Sequence, residues 1–501
     1  MKGYRIFSIR FTELFTAVIV LLILPYRAAS QTGRYWDQSL NSEAALLSGI
    51  VVAGEGGIAA IYYNPATISQ MTRNSLSLSA NLFSTYFFKA QNAIGDALPA
   101  DRVQFDVYPR IITLIVNPKK RPDLTVELAY FTKTNEYIQI NEGVSMNGDI
   151  IPSNPGPENY TADYYLRSKM QDYYGGAGFG YKVTDQLRLG FSALISYKDD
   201  QYYNLITANA FTGPADNEAS QYVSGSAFHE KHNMYDVRLV PKLGIHLKKD
   251  SWAFGANINL PSVKIFGNGT VVKQYEYSGI HKSSSDPAPS SLFWGGRQKD
   301  CPAHFRDPFS IAAGTNFYSP SGRSILLFTA EYFFGIRQYD YIGASGNPGE
   351  EGYNFTPFEP DEWLSTSSVQ KPVLNAGVAF KRHVNDQLMI SGGFRTDFNS
   401  ISESKEPPLP GFNMKNGYKL NVYHLNSGIG YNFRQGSIIL GMQFSYGQKN
   451  NRRQVINLSD PVEYISEDVM PLTGHLNDNV TLRYFDVSVY FGFLFNFMKA
   501  E

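Results

Sequence analysis

Tyr484-Phe485-Asp486-Val487-Ser488-Val489-Tyr490-Phe491-Gly492-Phe493-Leu494-Phe495-Asn496-Phe497 is the stretch that decides the fold. Successive side chains of a strand point to opposite faces. Phe485, Val487, Val489, Phe491, Phe493, Phe495 and Phe497 therefore share one face. Tyr484, Asp486, Ser488, Tyr490, Gly492, Leu494 and Asn496 share the other. In a soluble sandwich the apolar face needs a second sheet, whereas in a barrel it needs only lipid.

The same alternation recurs upstream. Leu76, Leu78, Ala80 and Leu82 alternate with Ser75, Ser77, Ser79 and Asn81. Leu124, Val126, Leu128 and Tyr130 alternate with Thr125, Glu127 and Ala129. Leu187 to Ile195, Trp252 to Leu260 and Ile438 to Tyr446 repeat the pattern. Short connections fall near 117–123, 183–186, 248–251, 319–323, 383–387 and 434–436. Long ones fall near 89–102, 141–162, 208–221, 267–306, 335–370, 399–417 and 448–478, and the two kinds strictly alternate. Short periplasmic turns and long extracellular loops are the asymmetry of a membrane barrel. The expectation is an all-β fold, an antiparallel transmembrane β-barrel of about 14 strands over residues 74–501, with both ends in the periplasm.

Composition agrees. The chain has 34 Tyr and 34 Phe, and aromatic rings gather at both membrane interfaces. Tyr86, Tyr130, Tyr197 and Tyr446 sit near strand ends and are girdle candidates. A formal net charge of -1 gives no basis for nucleic-acid binding. A single cysteine, Cys301, excludes an internal disulfide. At the N-terminus, Lys2, Arg5 and Arg10 precede an apolar run over 15–24 and the small residues Ala28-Ala29-Ser30. This reads as a signal peptide, residues 1–30, cleaved before Gln31 and carrying the chain to the outer membrane.

Chemical motifs are sparse. His229-Glu230-Lys231-His232 has the wrong spacing for a zinc-protease helix, and in a strand its two histidines point to opposite faces. Surface positions are expected for both. Gly175-Gly176-Ala177-Gly178-Phe179-Gly180 lacks the strand-to-helix setting of a phosphate loop and fits small residues in a barrel wall beside a plug. Cys301 lies in the longest loop. No catalytic residue, metal or cofactor is expected.

Residues 31–73 precede the first strand. Their core, Leu47-Ser48-Gly49-Ile50-Val51-Val52-Ala53-Gly54-Glu55-Gly56-Gly57-Ile58, is too apolar for a disordered tail. A fourteen-stranded lumen is also too wide for side chains alone to fill. An N-terminal plug, or hatch, is the reading for 31–73.

Ala53-Gly54-Glu55-Gly56-Gly57, then Asn64-Pro65-Ala66 just before the first strand, resemble the FadL/TodX family of outer-membrane transporters. The aromatic last strand resembles the C-terminal segment of outer-membrane barrels, although Met498-Lys499-Ala500-Glu501 extends past it. The Tyr- and Asn-rich style resembles members from Bacteroidetes, some labelled haemin receptors or tied to secretion. The resemblance implies passive passage of a hydrophobic ligand of the long-chain fatty-acid class past a movable hatch. It implies outer-membrane lipid and lipopolysaccharide as surroundings. It makes Gly54, Glu55, Gly56, Gly57, Asn64, Pro65 and Ala66 gate candidates. Family members release ligand sideways at a kink in the third strand, but residues 124–141 contain no Gly or Pro to mark one. The competing readings are an interaction barrel for surface or secreted proteins, a haemin or other-ligand receptor, and a general porin.

Overall fold

Alternating strands in lipid must close on themselves, because an open edge leaves N–H and C=O groups unsatisfied. The structure is a computed structural model. It describes residues 33–37, 39–154, 156–212, 223–283, 288–347, 349, 352–402, 419–434 and 436–496. The expected signal peptide and Phe497 lie outside the described residues.

The strands are β1 (Ser75–Gln91), β2 (Ala100–Val116), β3 (Leu124–Gly148), β4 (Glu158–Lys182), β5 (Leu187–Phe211), β6 (Val223–Lys249) and β7 (Trp252–Asn259). Next come β8 (Val263–Ile280), β9 (Ser290–Pro302), β10 (Ser310–Tyr318), β11 (Ser324–Phe333), β12 (Ile336–Ile342), β13 (Tyr353–Phe355) and β14 (Thr366–Gln370). The last are β15 (Val373–His383), β16 (Leu388–Asp397), β17 (Val422–Phe433), β18 (Gly436–Arg452) and β19 (Val480–Asn496). Fourteen of them, β1 to β7, β10, β11 and β15 to β19, form one closed antiparallel ring. The ring shuts where β19 pairs with β1, from Ser75↔Asn496 to Gln91↔Thr481. Leu78, Leu128, Phe191, Leu440 and Phe493 face outward and are exposed. Ser77, Thr125, Ser192, Gln443, Asp486 and Ser488 face the lumen and are buried. All six short turns join strands at the end where β1 begins and β19 ends.

The opposite end departs from the expected loops. β3, β4 and β5 have 25 residues each and β6 has 27. A membrane strand needs only about 9–11, so these project as a tall wall. The seventh strand breaks at Leu260-Pro261-Ser262 and continues as β8, since β6 pairs with β7 below and with β8 above. The stretch 267–306, expected as a loop, is largely the β8–β9 hairpin. The stretch 335–370 holds β12, β13, β14 and the short helix Pro360–Leu364. Both segments alternate apolar and polar residues, as the membrane strands do.

The inner face of this wall is covered. Tyr160, Tyr164, Ile206, Phe228 and Tyr275 share a dry core with Trp363, Ile456, Leu458 and Leu472. Tyr160 Oη donates to Leu472 O at 2.9 Å, and Ser226 Oγ to Pro471 O at 2.6 Å. The strap 453–479 thus crosses the upper lumen.

Two other expectations change. Tyr130, Tyr197 and Tyr446 face outward, and Tyr130 stacks on Tyr173 and Tyr197 on Tyr235. Tyr86 instead faces the lumen and is buried, because it sits on the same face as Ser84. β3 also carries the irregularity that its composition does not announce. Thr132 faces Tyr173 and Thr134 faces Asp172, leaving Lys133 as an extra residue. The β2–β3 ladder stops at Ile111↔Phe131. A bulge needs one inserted residue, not a glycine or proline.

Candidate functional site at the N-terminal segment and lumen

Residues 39–70 lie against the lumen face of the ring. They form helix Ser42–Leu46, 3-10 turn Gly57–Ala59, helix Ala60–Tyr63 and 3-10 turn Pro65–Gln70. Such short pieces are unstable alone. Here Leu46, Ile50, Val51, Ile61 and Ile68 are buried. Asn41 caps the first helix by accepting from Ala44 N at 3.1 Å.

The gate candidates come together. Gly54 (φ +111) and Gly57 (φ +52) adopt backbone conformations that favour glycine. Glu55 shares this left-handed region at φ 68 and ion-pairs with Lys381 of β15 at 2.7 Å. Burial by itself raises the Glu55 carboxyl, but the Lys381 ammonium outweighs it and holds the group below its ordinary value. Neighbouring Glu43 is raised by burial, which Lys381 only partly offsets. Gly56 precedes the 3-10 turn and accepts from Asn41 Nδ2. Asn64 does more than cap a turn. Its Oδ1 accepts from Ala66 N at 3.1 Å, and its Nδ2 donates to Val52 O and to Ile245 O of β6 at 2.7 and 3.0 Å. Pro65 is the first residue of the last turn, and Ala66 is fully buried.

The wall is carved to receive this segment. A Cβ on Gly190 would lie 2.1 Å from Ala66 N, and one on Gly244 2.1 Å from Asn64 Oδ1. On Gly255 it would lie 2.1 Å from Val52 O, and on Gly180 2.4 Å from Ser69 N. The glycines of 175–180 therefore belong to β4, and Gly178 and Gly180 make room for Ile68 and Ser69. Polar links tie the segment around the ring. Ser42 N donates to Ser79 Oγ of β1, Ile61 N to Glu127 of β3, Asn316 of β10 to Ala53 O and Ser48 to Asn426 of β17.

Above the segment is a cavity of about 50 Å³. Arg34, Tyr35, Trp36, Tyr62, Lys133 and Lys242 are among its lining residues. Lys133 is the bulge residue of β3. Lys242 Nζ donates to Tyr62 O at 2.9 Å and lies 3.5 Å from the Tyr62 ring centre. Among the described residues it has no carboxylate within 4.0 Å. Higher up, Arg238 is buried and meets Asp172, Asp236 and Asp307 at 2.7, 2.9 and 2.5 Å. Sequence reading missed these cations. Their signal was a charged residue on the lumen face of an otherwise membrane-like strand.

Asp37, Asp397 and His424 bring potential ligand atoms within 4.8 Å of one another. The Arg34 guanidinium, 2.8 Å from Asp37 and 3.7 Å from Asp397, already supplies the positive charge there. The group is an ion cluster that pins the start of the segment to β16. Of the histidine pair, His229 faces outward, but His232 faces the lumen at 2% exposure against Tyr202, so it is not a surface residue. Opposite strand faces explain the split. Cys301 is buried in β9, not in a loop, and burial pushes its thiol up to about 11.

No protein-family model matches the chain, and no curated protein matches it in sequence. Solved structures do match. A Pseudomonas aeruginosa FadL homologue aligns at TM-score 0.51 and 11% identity, over 95% of this chain and 100% of that one. The P. putida toluene transporter TodX aligns at TM-score 0.50 and 13% identity, over 92% and 99%. The Ralstonia pickettii toluene transporter TbuX aligns at TM-score 0.50 and 12% identity, over 91% and 98%. Closed ring, strand count and full-length alignment together give this chain the FadL-type barrel fold.

Proposed function

We propose that this protein is an outer-membrane channel that passes hydrophobic molecules of the fatty-acid class by diffusion, with residues 31–73 as a movable hatch. The observation that carries this reading is the end of the β2–β3 ladder at Ile111↔Phe131, beside the cavity that Lys133 lines. The unpaired edge begins at the level of the outward Tyr130 ring, where hydrocarbon meets headgroups. Keeping one here makes sense as a side opening between cavity and membrane.

Two further features support it. A cavity of about 50 Å³ holds a few waters. A long-chain ligand therefore needs the segment to shift, and a segment built of short helices on a glycine-lined wall can shift without breaking the ring. Asp37, Glu136 and Glu331 line the cavity too and Arg34 is paired with Asp37, so it is Lys242, with no carboxylate within 4.0 Å among the described residues, that favours a ligand with a carboxylate over a bare hydrocarbon. The test is uptake by cells lacking their own long-chain fatty-acid transporter. Oleate uptake above the empty-vector level, exceeding that of toluene, is the expected result. Uptake of neither compound would sink the proposal.

A further inference from the structure

The outward face of the tall wall has a use that transport does not explain. Along β3 to β6 the outward residues are apolar up to an aromatic band, the stacked pairs Tyr130–Tyr173 and Tyr197–Tyr235. Such a band marks the level where hydrocarbon ends and headgroups begin. Beyond it the same face becomes hydrophilic. Gln201 and Tyr203 lie on β5 roughly 13–20 Å past Tyr197, at about 3.3 Å per residue. Lys231 of β6 lies about 13 Å past Tyr235 on the same scale.

A groove of about 640 Å³ runs across this level. Tyr165, Arg167, Gln201, Tyr203, Lys231 and Asn233 carry its chemistry. Tyr165 and Tyr203 meet edge to face at 5.5 Å, and His229 lies 4.9 Å from Tyr203 on the same surface. Arg167 and Lys231 are exposed, and among the described residues neither has a carboxylate within 4.0 Å. Asp163 is the one acidic residue in the lining. Rings with one open face pack against the apolar face of a sugar. Planar amide and guanidinium groups bind hydroxyls and phosphates. None of these side chains points into the lumen, so none can serve the channel.

We infer that this groove docks the phosphorylated sugar headgroup of outer-leaflet lipopolysaccharide, with Arg167 and Lys231 on phosphate and Tyr165 and Tyr203 on sugar. The inference needs the barrel to lie in the outer membrane. It does not depend on what the channel carries.

The test uses the full-length protein purified with its lipid, and native mass spectrometry to count retained rough lipopolysaccharide. Wild type retains it. The double variant R167E/K231E loses about tenfold or more of the retention, since each cation near an anionic surface strengthens binding and each reversal adds repulsion. Enzymatically dephosphorylated lipopolysaccharide binds wild type weakly as well. Folding is checked by the heat-dependent shift of barrel mobility on a gel. Should R167E/K231E fail to fold, Y203A and K231A, scored singly against the same probe, take its place. Equal retention by wild type and variants overturns the inference. So does equal competition by phosphatidylglycerol vesicles, which would reduce the groove to a general attraction for anions.

Discussion

The hydroxyl of Tyr86, on β1, donates to the carbonyl oxygen of Tyr137, on β3, at 2.5 Å. It reaches past β2 to the β3 edge that β2 leaves unpaired above Phe131. This bond ties β1 to the unpaired edge of β3 on the lumen side, where a ligand leaving through the proposed side opening would pass. A hydrogen bond of this kind contributes about 1 kcal/mol net. Y86F should therefore loosen the opening and speed ligand release into lipid several-fold, with barrel folding unchanged. Stopped-flow transfer of a fluorescent fatty acid from protein to vesicles measures it. A rate equal to wild type would show that the tie does not limit release.

The glycine-lined wall makes a separable prediction. G190V places a side chain where Ala66 N and Pro65 C now sit, 2.1 Å from a Cβ. The wall strand can keep its own pairing, so the segment must move. Single-channel conductance in planar bilayers should rise, as it should on deletion of residues 41–66. Gly176 is the contrast, because a Cβ there meets Ala193 O of the neighbouring strand at 2.2 Å. G176V should lower folding yield. Matching conductance in wild type and G190V would mean that the segment does not block ions.

Some of this was readable beforehand, and the boundary has a physical reason. Alternation in Phe485 to Phe493 and the six short turns announced the ring, because lipid sets the period and the turns at one end of the ring are tight. Gly54, Gly57 and Asn64 were legible as special because local backbone geometry requires such residues. The bulge at Lys133 was not, since a single inserted residue leaves no compositional mark. Nor was the inward turn of Tyr86, which depends on register past an irregularity of β1 between Asn81 and Phe83. The Glu55–Lys381 pair spans 326 positions and could not be paired from sequence.

That pair makes docking of the segment pH-dependent. Lys381 holds Glu55 below its ordinary value, against the opposing effect of burial. A depressed carboxylate contributes docking stability that is present above its undocked pKa, about 4.3. The contribution is lost as pH falls through the docked value. Half-buried Glu43, shifted the other way, favours docking as it protonates and blunts the loss. Wild-type conductance should thus rise only on strong acidification. K381A leaves the half-buried Glu55 carboxylate without its partner and should conduct at neutral pH. E55Q should remove most of the acid-side rise. A wild-type acid response that persists unchanged in E55Q would assign it to another group.

Lys242 separates carboxylate ligands from neutral ones. Its ammonium lies over the Tyr62 ring and bonds Tyr62 O, so two of its three protons have defined places at most. A ligand carboxylate arriving in the cavity can take the remaining proton and pull the ammonium off the ring. That motion would free Tyr62 O, part of the segment that must shift. K242M keeps the length and apolar contact of the side chain but removes both the charge and the bond. Oleate uptake should then show a KM raised about tenfold, in line with about 1.5–3 kcal/mol for a hydrogen bond to a charged group. Toluene has no carboxylate, so its passage should be unchanged or slightly faster, because the tie to the segment is gone. Equal losses for both ligands would show that Lys242 only holds the segment in place.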